Sequence, residues 1–363
     1  MPIIYLILLL GLFACSTESG SADDVSNSTA AADTSRGSRI SATLRPAEVQ
    51  EKDPPLQYSI EIMDESVAGL FGETPEFDEL FGGMSWSEGP LWLADQQTII
   101  CSDVPNNQIL SWNTTDGHAV WLENSGFGPG DSPSRESGSN GLILDAEGRL
   151  VLCQHGLRQV ARMNAPLHTP RAVFTTLADN YEGKRFNSPN DLVYDSSGVL
   201  YFTDPPYGLD GQDESEDKEL DFNGVFRLDP DGKVSLLIRD LTRPNGIGLS
   251  PDQKVLYVAV SDPDAAKIYA YLLGADKTIQ EEFWVLDLTE EVALAPGLPD
   301  GLEVAQDGKI YATGPGGVWV ISPGGVPLAQ VHTGFAIANV ELDDKEEYLY
   351  MTSDPYLVRV KLH

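Results

Sequence analysis

One sequence pattern recurs six times between residue 88 and the end of the chain. Each copy opens with Glu, Asn or Asp, continues as a short apolar strand, turns at Gly or Asp, and returns as a second apolar strand. The copies begin at Glu88, Asn140, Asn190, Asn245, Asp300 and Asn339, at intervals of 52, 50, 55, 55 and 39 residues. A period in this range, built from short strands, is typical of β-propeller blades.

The repeat therefore predicts an all-β chain, a six-bladed β-propeller with four-stranded blades. In the first blade the four strands are expected at residues 89–93, 98–102, 108–112 and 118–122. The last repeat ends before a fourth strand can form, so we expect residues 77–81, upstream of the first blade, to complete it. Such closure removes exposed sheet edges. A solenoid of stacked hairpins is the alternative, but the polar terminal caps that solenoids need are not visible.

The start of the chain has the pattern of an export signal. Residues 3–12 are apolar or Gly apart from Tyr5, a run too short to span a membrane but suited to the core of a signal peptide. The following Leu12-Phe13-Ala14-Cys15 resembles the bacterial lipobox, in which the Cys is lipidated. Residues 16–55 are rich in Ser, Thr, Ala, Asp and Gly and poor in large apolar residues, so they cannot offset the entropy of ordering.

These features predict three regions: a lipoprotein signal peptide at residues 1–15, a disordered tether at residues 16–55, and a propeller hydrolase domain at residues 56–363. The expected location is the bacterial cell envelope, on the periplasmic side or the cell surface, with the membrane contacted only through the lipid anchor. The sequence leaves the oligomeric state open. Cys101 and Cys153 each lie in a short apolar run, which favours two core residues over a disulfide.

The charge balance excludes one class of partner. Fifty-six acidic residues against 23 Lys and Arg give a formal net charge of −33. A nucleic-acid binder works by neutralising phosphates with basic residues, so this chain is not expected to bind nucleic acid.

All six residues that open the repeats carry a side-chain oxygen. In a closed radial array they would form a ring around the axis, and a ring of two carboxylates and four amides suits one hard divalent cation at the centre. Ca²⁺ is favoured because it accepts many oxygens in loose geometry, with Mg²⁺, Mn²⁺ or Zn²⁺ as alternatives. The competing interpretation is that Asn and Asp stand there only because they favour turns.

Five stretches in these repeats are similar to the gluconolactonase and regucalcin (senescence marker protein) family of calcium-dependent propeller hydrolases. They are Trp86-Ser87-Glu88-Gly89-Pro90, Ser188-Pro189-Asn190-Asp191, residues 201–208 ending in Tyr207-Gly208, Arg243-Pro244-Asn245-Gly246, and Leu298-Pro299-Asp300-Gly301-Leu302. The resemblance covers the chain from about residue 77 to its end. It implies a six-bladed propeller that holds one divalent cation at the axis and hydrolyses lactones.

The resemblance also implies roles for particular residues. The family's metal ligands correspond to Glu88, Asn245 and Asp300, with Asn190 as a further ligand or substrate contact. The regucalcin branch has an Arg two residues before that Asn, where this chain has Ser188. The nearest basic residue is Arg185, which becomes a candidate substrate contact together with Asn140, Asn190 and Tyr207.

Lactone hydrolysis needs a polarised carbonyl, an activated water and a stabilised oxyanion. Asp300 is the expected base or water-orienting group, and Glu88 the charge-balancing ligand. His155 is the other candidate base, because the usual pKa of His suits neutral pH. No Gly-x-Ser-x-Gly motif occurs, so a serine-esterase mechanism has no basis. A related propeller esterase or organophosphate hydrolase, and a non-catalytic propeller binding module, remain the alternatives.

Overall fold

Each sequence repeat forms one antiparallel sheet in the computed structural model, which describes residues 55–128, 134 and 136–363. The predicted signal peptide with Cys15, and residues 16–54 of the predicted tether, lie outside these ranges. Two strands precede the first blade, β1 (Ser59–Ile62) and β2 (Phe77–Gly82).

The first three blades follow one another along the chain. Blade 1 contains β3 (Ser87–Leu93), β4 (Thr98–Asp103), β5 (Gln108–Asn113) and β6 (Gly117–Glu123). Blade 2 contains β7 (Ser139–Leu144), β8 (Leu150–Gln154), β9 (Gln159–Met163) and β10 (Phe174–Ala178). A small hairpin, β11 (Asn180–Tyr181) and β12 (Lys184–Arg185), precedes blade 3. Blade 3 contains β13 (Leu192–Tyr194), β14 (Leu200–Asp204), β15 (Gly224–Leu228) and β16 (Val234–Ile238).

The last three blades repeat this order. Blade 4 contains β17 (Pro244–Leu249), β18 (Val255–Val260), β19 (Lys267–Leu273) and β20 (Ile279–Asp287). Blade 5 contains β21 (Leu302–Val304), β22 (Ile310–Gly314), β23 (Gly317–Ile321) and β24 (Pro327–His332). Blade 6 contains β25 (Asn339–Leu342), β26 (Tyr348–Ser353) and β27 (Tyr356–Lys361).

Helices in the described ranges are short 3₁₀ turns at Glu65–Val67, Ala94–Gln96, Gln212–Glu214 and Glu291–Ala293. None of the helices in the described part of the chain has the length and apolar character that crossing a membrane requires.

The first strand of every blade faces the axis and contacts the first strands of both neighbouring blades. These contacts run from β3 through β7, β13, β17, β21 and β25 and back to β3, so the ring is closed. The second strands lie between neighbouring blades; every residue of β4 and of β8 is buried. Burial on both faces explains why these strands read as apolar runs rather than as alternating patterns.

The closure of blade 6 confirms the prediction made from the repeat. Strand β2 pairs antiparallel with β27, with Phe77 opposite Val360, and so supplies the missing outer strand. The six-bladed propeller with four-stranded blades is thus confirmed. Cys101 and Cys153 are buried and unbridged, as expected of core residues.

Blade 5 differs from the prediction because it carries a fifth strand. Strand β1 pairs antiparallel with β24, with Ser59 opposite His332. The Tyr58 ring beside it stacks on Phe77 of blade 6, with ring centroids 4.5 Å apart. The segment lies outside the repeats and is mostly exposed, so no repeat or apolar pattern marked it.

The inner strands approach each other so closely that a side chain would not fit at several positions. Gly89 has φ +47°, and a Cβ there would clash with the backbone oxygen of Asn140 in the next blade. A Cβ on Gly246 would likewise clash with the backbone oxygen of Asp300. Glycine at these positions therefore sets how near the six inner strands come to the axis.

We predict that Gly246→Ala destabilises the propeller by about 1–3 kcal/mol, because the added methyl group must push blades 4 and 5 apart. Urea unfolding of the purified chain measures the loss. Gly69→Ala is the matched control: nothing lies within 4 Å of a Cβ at Gly69, so its unfolding free energy should change by less than about 0.5 kcal/mol. Equal unfolding midpoints for the two variants would contradict the packing argument.

Candidate active site

A cavity of about 520 Å³ opens on the axis where the inner strands begin. Six residues singled out from the sequence line it together: Glu88, Asn140, Asn190, Tyr207, Asn245 and Asp300. Asn339, the sixth residue of the repeat, does not line this cavity. Its Oδ1 accepts a hydrogen bond from the backbone N–H of Val340 at 2.8 Å.

Three oxygens in this cavity are buried without a hydrogen-bond partner in the described structure. They are Oδ1 of Asn140, Oδ1 of Asn190 and Oδ1 of Asp300. A buried polar atom without a partner costs about 1–3 kcal/mol. The oxygen ligands of a cation lack partners when only protein groups are counted. Three such oxygens in one cavity therefore fit a cation site.

The carboxyl groups of Glu88 and Asp300, two of the three that line the cavity, are electrostatically unfavourable on their own. Burial, followed by the charge of Asp300, raises the pKa of Glu88 well above its usual range. Burial, followed by the charges of Asp191 and Asp354, raises the pKa of Asp300 in the same way. A bound divalent cation would reverse both effects, because an opposite charge favours the ionised carboxylate.

The donor set therefore fits a hard cation, with Glu88 and Asp300 supplying charge and asparagines supplying neutral oxygens. The amides are essential to this set. In the described ranges, no group of three or more His, Cys, Asp or Glu side chains is arranged to hold a metal ion.

Blade 6 positions Glu88 across the closure of the ring. Both the backbone N–H and the hydroxyl of Ser87 donate hydrogen bonds of 2.7 Å to Oδ1 of Asp354. The indole N–H of Trp86 donates to Oε1 of Glu88 at 3.2 Å. Trp86 thus holds the acidic side chain directly, while Asp354 of blade 6 fixes the backbone next to it.

Asn245 is held by a chain of hydrogen bonds that reaches the next blade. Its Nδ2 donates to Oγ of Ser261 at 3.0 Å, and that hydroxyl donates to the backbone oxygen of Pro299 at 2.6 Å. Since Pro299 precedes Asp300, the same chain places two candidate ligands relative to each other.

A second layer of buried hydroxyl groups lies behind the candidate ligands. Ser102 donates to the backbone oxygen of Asn140 at 2.8 Å, and Thr203 donates to that of Asn245 at 2.7 Å. Thr313 accepts from the backbone N–H of Asp300 at 3.0 Å. Sequence reasoning missed this layer, although a signal was present: a Ser or Thr recurs at or near the end of the second strand.

Two predicted site residues lie outside the cavity lining. His155 is fully buried; its Nδ1 lies 3.1 Å from the backbone oxygen of Glu136, and its Nε2 has no partner in the described structure. Burial lowers the pKa of His155 to about 4, so the ring is neutral near pH 7. Arg185 is exposed on strand β12, where its guanidinium donates to the backbone oxygen of Leu157 at 3.0 Å.

The cavity walls differ between the two halves of the propeller. Glu136 and Gln212, which the sequence did not single out, join Tyr207 from the loops of blades 1–3. From blades 4–6 come mainly apolar residues: Pro263, Val292, Ala295, Pro296, Leu298, Ala336, Ile337 and Ala338. No Lys or Arg is among the described residues that line the cavity.

The proteins with related sequences include lactonases. A gluconolactonase from Zymomonas mobilis is 37% identical over 287 residues, which cover 77% of this chain and 79% of that protein. A pentonolactonase from Haloferax volcanii is 23% identical over 225 residues, covering 62% of this chain and 65% of its own length.

Solved structures show the same fold. A gluconolactonase from Xanthomonas campestris superposes with a TM-score of 0.71 at 30% identity, covering 85% of this chain and 98% of that one. A calcium-binding regucalcin from Agrobacterium tumefaciens shares the fold alone, with a TM-score of 0.57 at 16% identity over 81% of this chain and 93% of that one. The family model for the SMP-30/gluconolactonase/LRE-like region matches residues 86–354, inner strands and axial cavity included. The chain therefore belongs to the SMP-30/gluconolactonase/LRE-like family.

Proposed function

We propose that the protein is a divalent-cation-dependent hydrolase that opens neutral lactones, with sugar lactones of the gluconolactone type as substrates. Family membership and the lactonases among its relatives support lactone hydrolysis as the reaction class. The main support for a bound cation is the set of unpartnered oxygens of Asn140, Asn190 and Asp300. They line a cavity that also contains Glu88.

Glu88, Asn190, Asn245 and Asp300 would hold the cation, and Ca²⁺ fits this mixture of carboxylate and amide oxygens best. When bound, a divalent cation supplies polarisation of the lactone carbonyl and stabilisation of the oxyanion that forms there. Glu88 would balance the charge of the cation. It lies where the ring closes, next to the hydrogen bonds made by Trp86 and Ser87.

Asp300 orients the attacking water and accepts its proton as the new C–O bond forms. The ring C–O bond then breaks, the ring oxygen takes up a proton, and the product is a hydroxy acid. Asn140, Asn190 and Tyr207 line the same cavity and offer hydrogen bonds to the ring substituents. A carboxylate that also binds a cation is a weak base, so orientation of water is the larger part of the role of Asp300.

His155 would act through Glu136, in the loop that connects blades 1 and 2. Its Nδ1 faces the backbone oxygen of Glu136, and Glu136 lines the cavity. A carbonyl oxygen can only accept, so Nδ1 carries the proton and Nε2 the free lone pair. His155 thereby positions Glu136 in the cavity wall. To act as a direct base, His155 would need the lone pair of Nε2 to reach the substrate.

We propose further that the enzyme works at the bacterial cell envelope, tethered by a lipid on Cys15. The apolar run at residues 3–12, the lipobox-like Leu12-Phe13-Ala14-Cys15 and the polar segment that follows support this location.

We predict that the purified chain binds one divalent cation tightly and that Asp300→Ala abolishes both this binding and lactone hydrolysis. Isothermal titration calorimetry with Ca²⁺ after exhaustive chelation measures the first, and a gluconolactone assay the second. Asp307→Ala is the matched control from the same blade, because Asp307 is exposed and contacts only Lys309 among the charged groups of its turn. Full activity of the chelated wild-type protein would overturn the cation proposal.

The same preparation tests the alternative substrates. A panel of lactones, aryl esters and a phosphotriester, each with one cation added back at a time, separates a lactonase from an organophosphate hydrolase. Turnover of the phosphotriester alone would replace the proposed reaction. Cation binding without any turnover would indicate a binding module.

Salt should affect charged and neutral substrates differently. The net charge of −33 repels anions over a Debye length of about 10 Å at 0.1 M ionic strength. We therefore expect kcat/KM for a neutral aldonolactone to change little with salt, while that for a carboxylated lactone rises as salt screens the repulsion. A carboxylated lactone that is preferred at low salt and slowed by added salt would instead point to a local basic group such as Lys184 or Arg185.

Replacement of the lipobox cysteine tests the location. In a bacterial host the full chain should incorporate labelled fatty acid and partition into detergent, and Cys15→Ser should do neither. Cys101→Ser, which alters a buried core cysteine, should keep the label. Equal labelling of wild type and Cys15→Ser would exclude the anchor.

A further inference from the structure

The apolar half of the cavity is poorly suited to the hydroxyl groups of a sugar lactone. Val292, Ala295, Pro296 and Leu298 come from the linker between blades 4 and 5, and Ile337 from the linker between blades 5 and 6. Their side chains offer no hydrogen bond to a hydroxylated ring. Burying sugar hydroxyls against them would cost free energy, because the hydroxyls would lose water without gaining a partner.

These five residues form the apolar wall, and contacts with the neighbouring blades hold it in a fixed position. Ile337 is 1% exposed and belongs to the hydrophobic core shared by blades 5 and 6. The backbone oxygen of Pro296 accepts a hydrogen bond of 2.8 Å from the N–H of Gly316. Gly297 has φ +102° and packs against the backbone oxygen of Gly314. The wall is therefore held in place by blade 5.

The size of the cavity also exceeds what a hexonolactone fills. Cavities of roughly 300–1,000 Å³ bury drug-sized ligands, and this one measures about 520 Å³. A single sugar ring beside the candidate ligands leaves the space along the apolar wall empty of substrate.

We propose that the same site also hydrolyses lactones that carry a non-polar alkyl or aryl substituent, with the substituent packed against the apolar wall. The inference rests on the proposed function and adds a substrate class to it. The carbonyl of such a lactone lies at Asn190 and Asp300, and the ring carbon next to the ring oxygen directs its substituent toward Val292, Leu298 and Ile337. The absence of Lys and Arg from the described lining disfavours a phosphorylated or carboxylated substituent.

The first test compares two lactones with the same ring. δ-Nonalactone differs from δ-valerolactone only by a butyl chain on the carbon next to the ring oxygen. Burial of each methylene is worth roughly fourfold in affinity, so we expect kcat/KM for δ-nonalactone to be at least about tenfold higher with the full chain at saturating Ca²⁺.

Two matched variants assign the gain to the apolar wall. Leu298→Asn keeps the size of the side chain but makes it polar, and should lower the ratio of the two kcat/KM values about fivefold or more. Leu294→Asn is the control from the same linker: Leu294 is 82% exposed and lies outside the cavity lining, so the ratio should not change.

A binding measurement separates this inference from the proposed reaction. The δ-lactam that bears the same butyl chain is not hydrolysed, and calorimetry should show it binding more tightly than δ-valerolactam, with a negative heat-capacity change that Leu298→Asn reduces. If gluconolactone is hydrolysed but the butyl chain improves neither turnover nor binding, the inference is wrong and the proposed function stands. If no lactone is hydrolysed but the butyl lactam binds through Leu298, the apolar subsite stands and the proposed reaction is wrong.

Discussion

The close approach of the six inner strands to the axis is the constraint on which the rest of the structure depends. Neighbouring blades are joined there by backbone hydrogen bonds, from Gly141 N–H to Asn190 at 2.8 Å and from Gly246 N–H to Asp300 at 2.9 Å. These bonds form because glycine follows four of the six ring residues, and a Cβ at those positions would overlap the next strand. The same bonds that close the propeller also place the backbones of the candidate ligands side by side, so the fold and the site have a common cause.

This arrangement has an electrostatic cost that a bound cation would offset. Burial and repulsion by neighbouring carboxylates raise the pKa values of Glu88 and Asp300. Oδ1 of Asp300 and the Oδ1 atoms of Asn140 and Asn190 also lack partners in the described structure. A core selected for stability alone would replace such groups with apolar residues of similar size. The layer behind them is fully hydrogen-bonded by contrast, since Thr203 and Thr313 each bind ring backbone. The hydroxyl groups behind the ring have hydrogen-bond partners, whereas three oxygens that line the cavity have none in the described structure. This contrast is typical of a site for a ligand.

The repeating parts of this architecture were predictable from sequence, and the irregular parts were not. Six copies of one pattern predicted six blades and the closing strand near Phe77. Five of the six residues that open the repeats line one cavity, because equivalent positions of a repeat have the same backbone environment. Strand β1, Glu136 and Gln212 lie outside the repeat, and their positions depend on loops that pack against distant blades. His155 was singled out by its neighbouring glycine, yet its ring turns toward the backbone of Glu136, a contact that sequence spacing does not encode. The roles of the ring residues stay predictions until cation binding is measured.

The proposed reaction and the proposed choice of substrate depend on different parts of the chain. Glu88, Asn245 and Asp300 lie in or next to tightly packed inner strands, so a substitution there is expected to affect the closure of the ring as well as the proposed reaction. Val292 and Leu298 lie on a linker that is only half-buried and is attached to blade 5 through Pro296 and Gly297. Substitutions on that linker can change the shape and polarity of the wall while the axial hydrogen bonds stay intact. A propeller of this kind can keep one set of ligands and one reaction while its blade linkers adapt the cavity to lactones with different substituents.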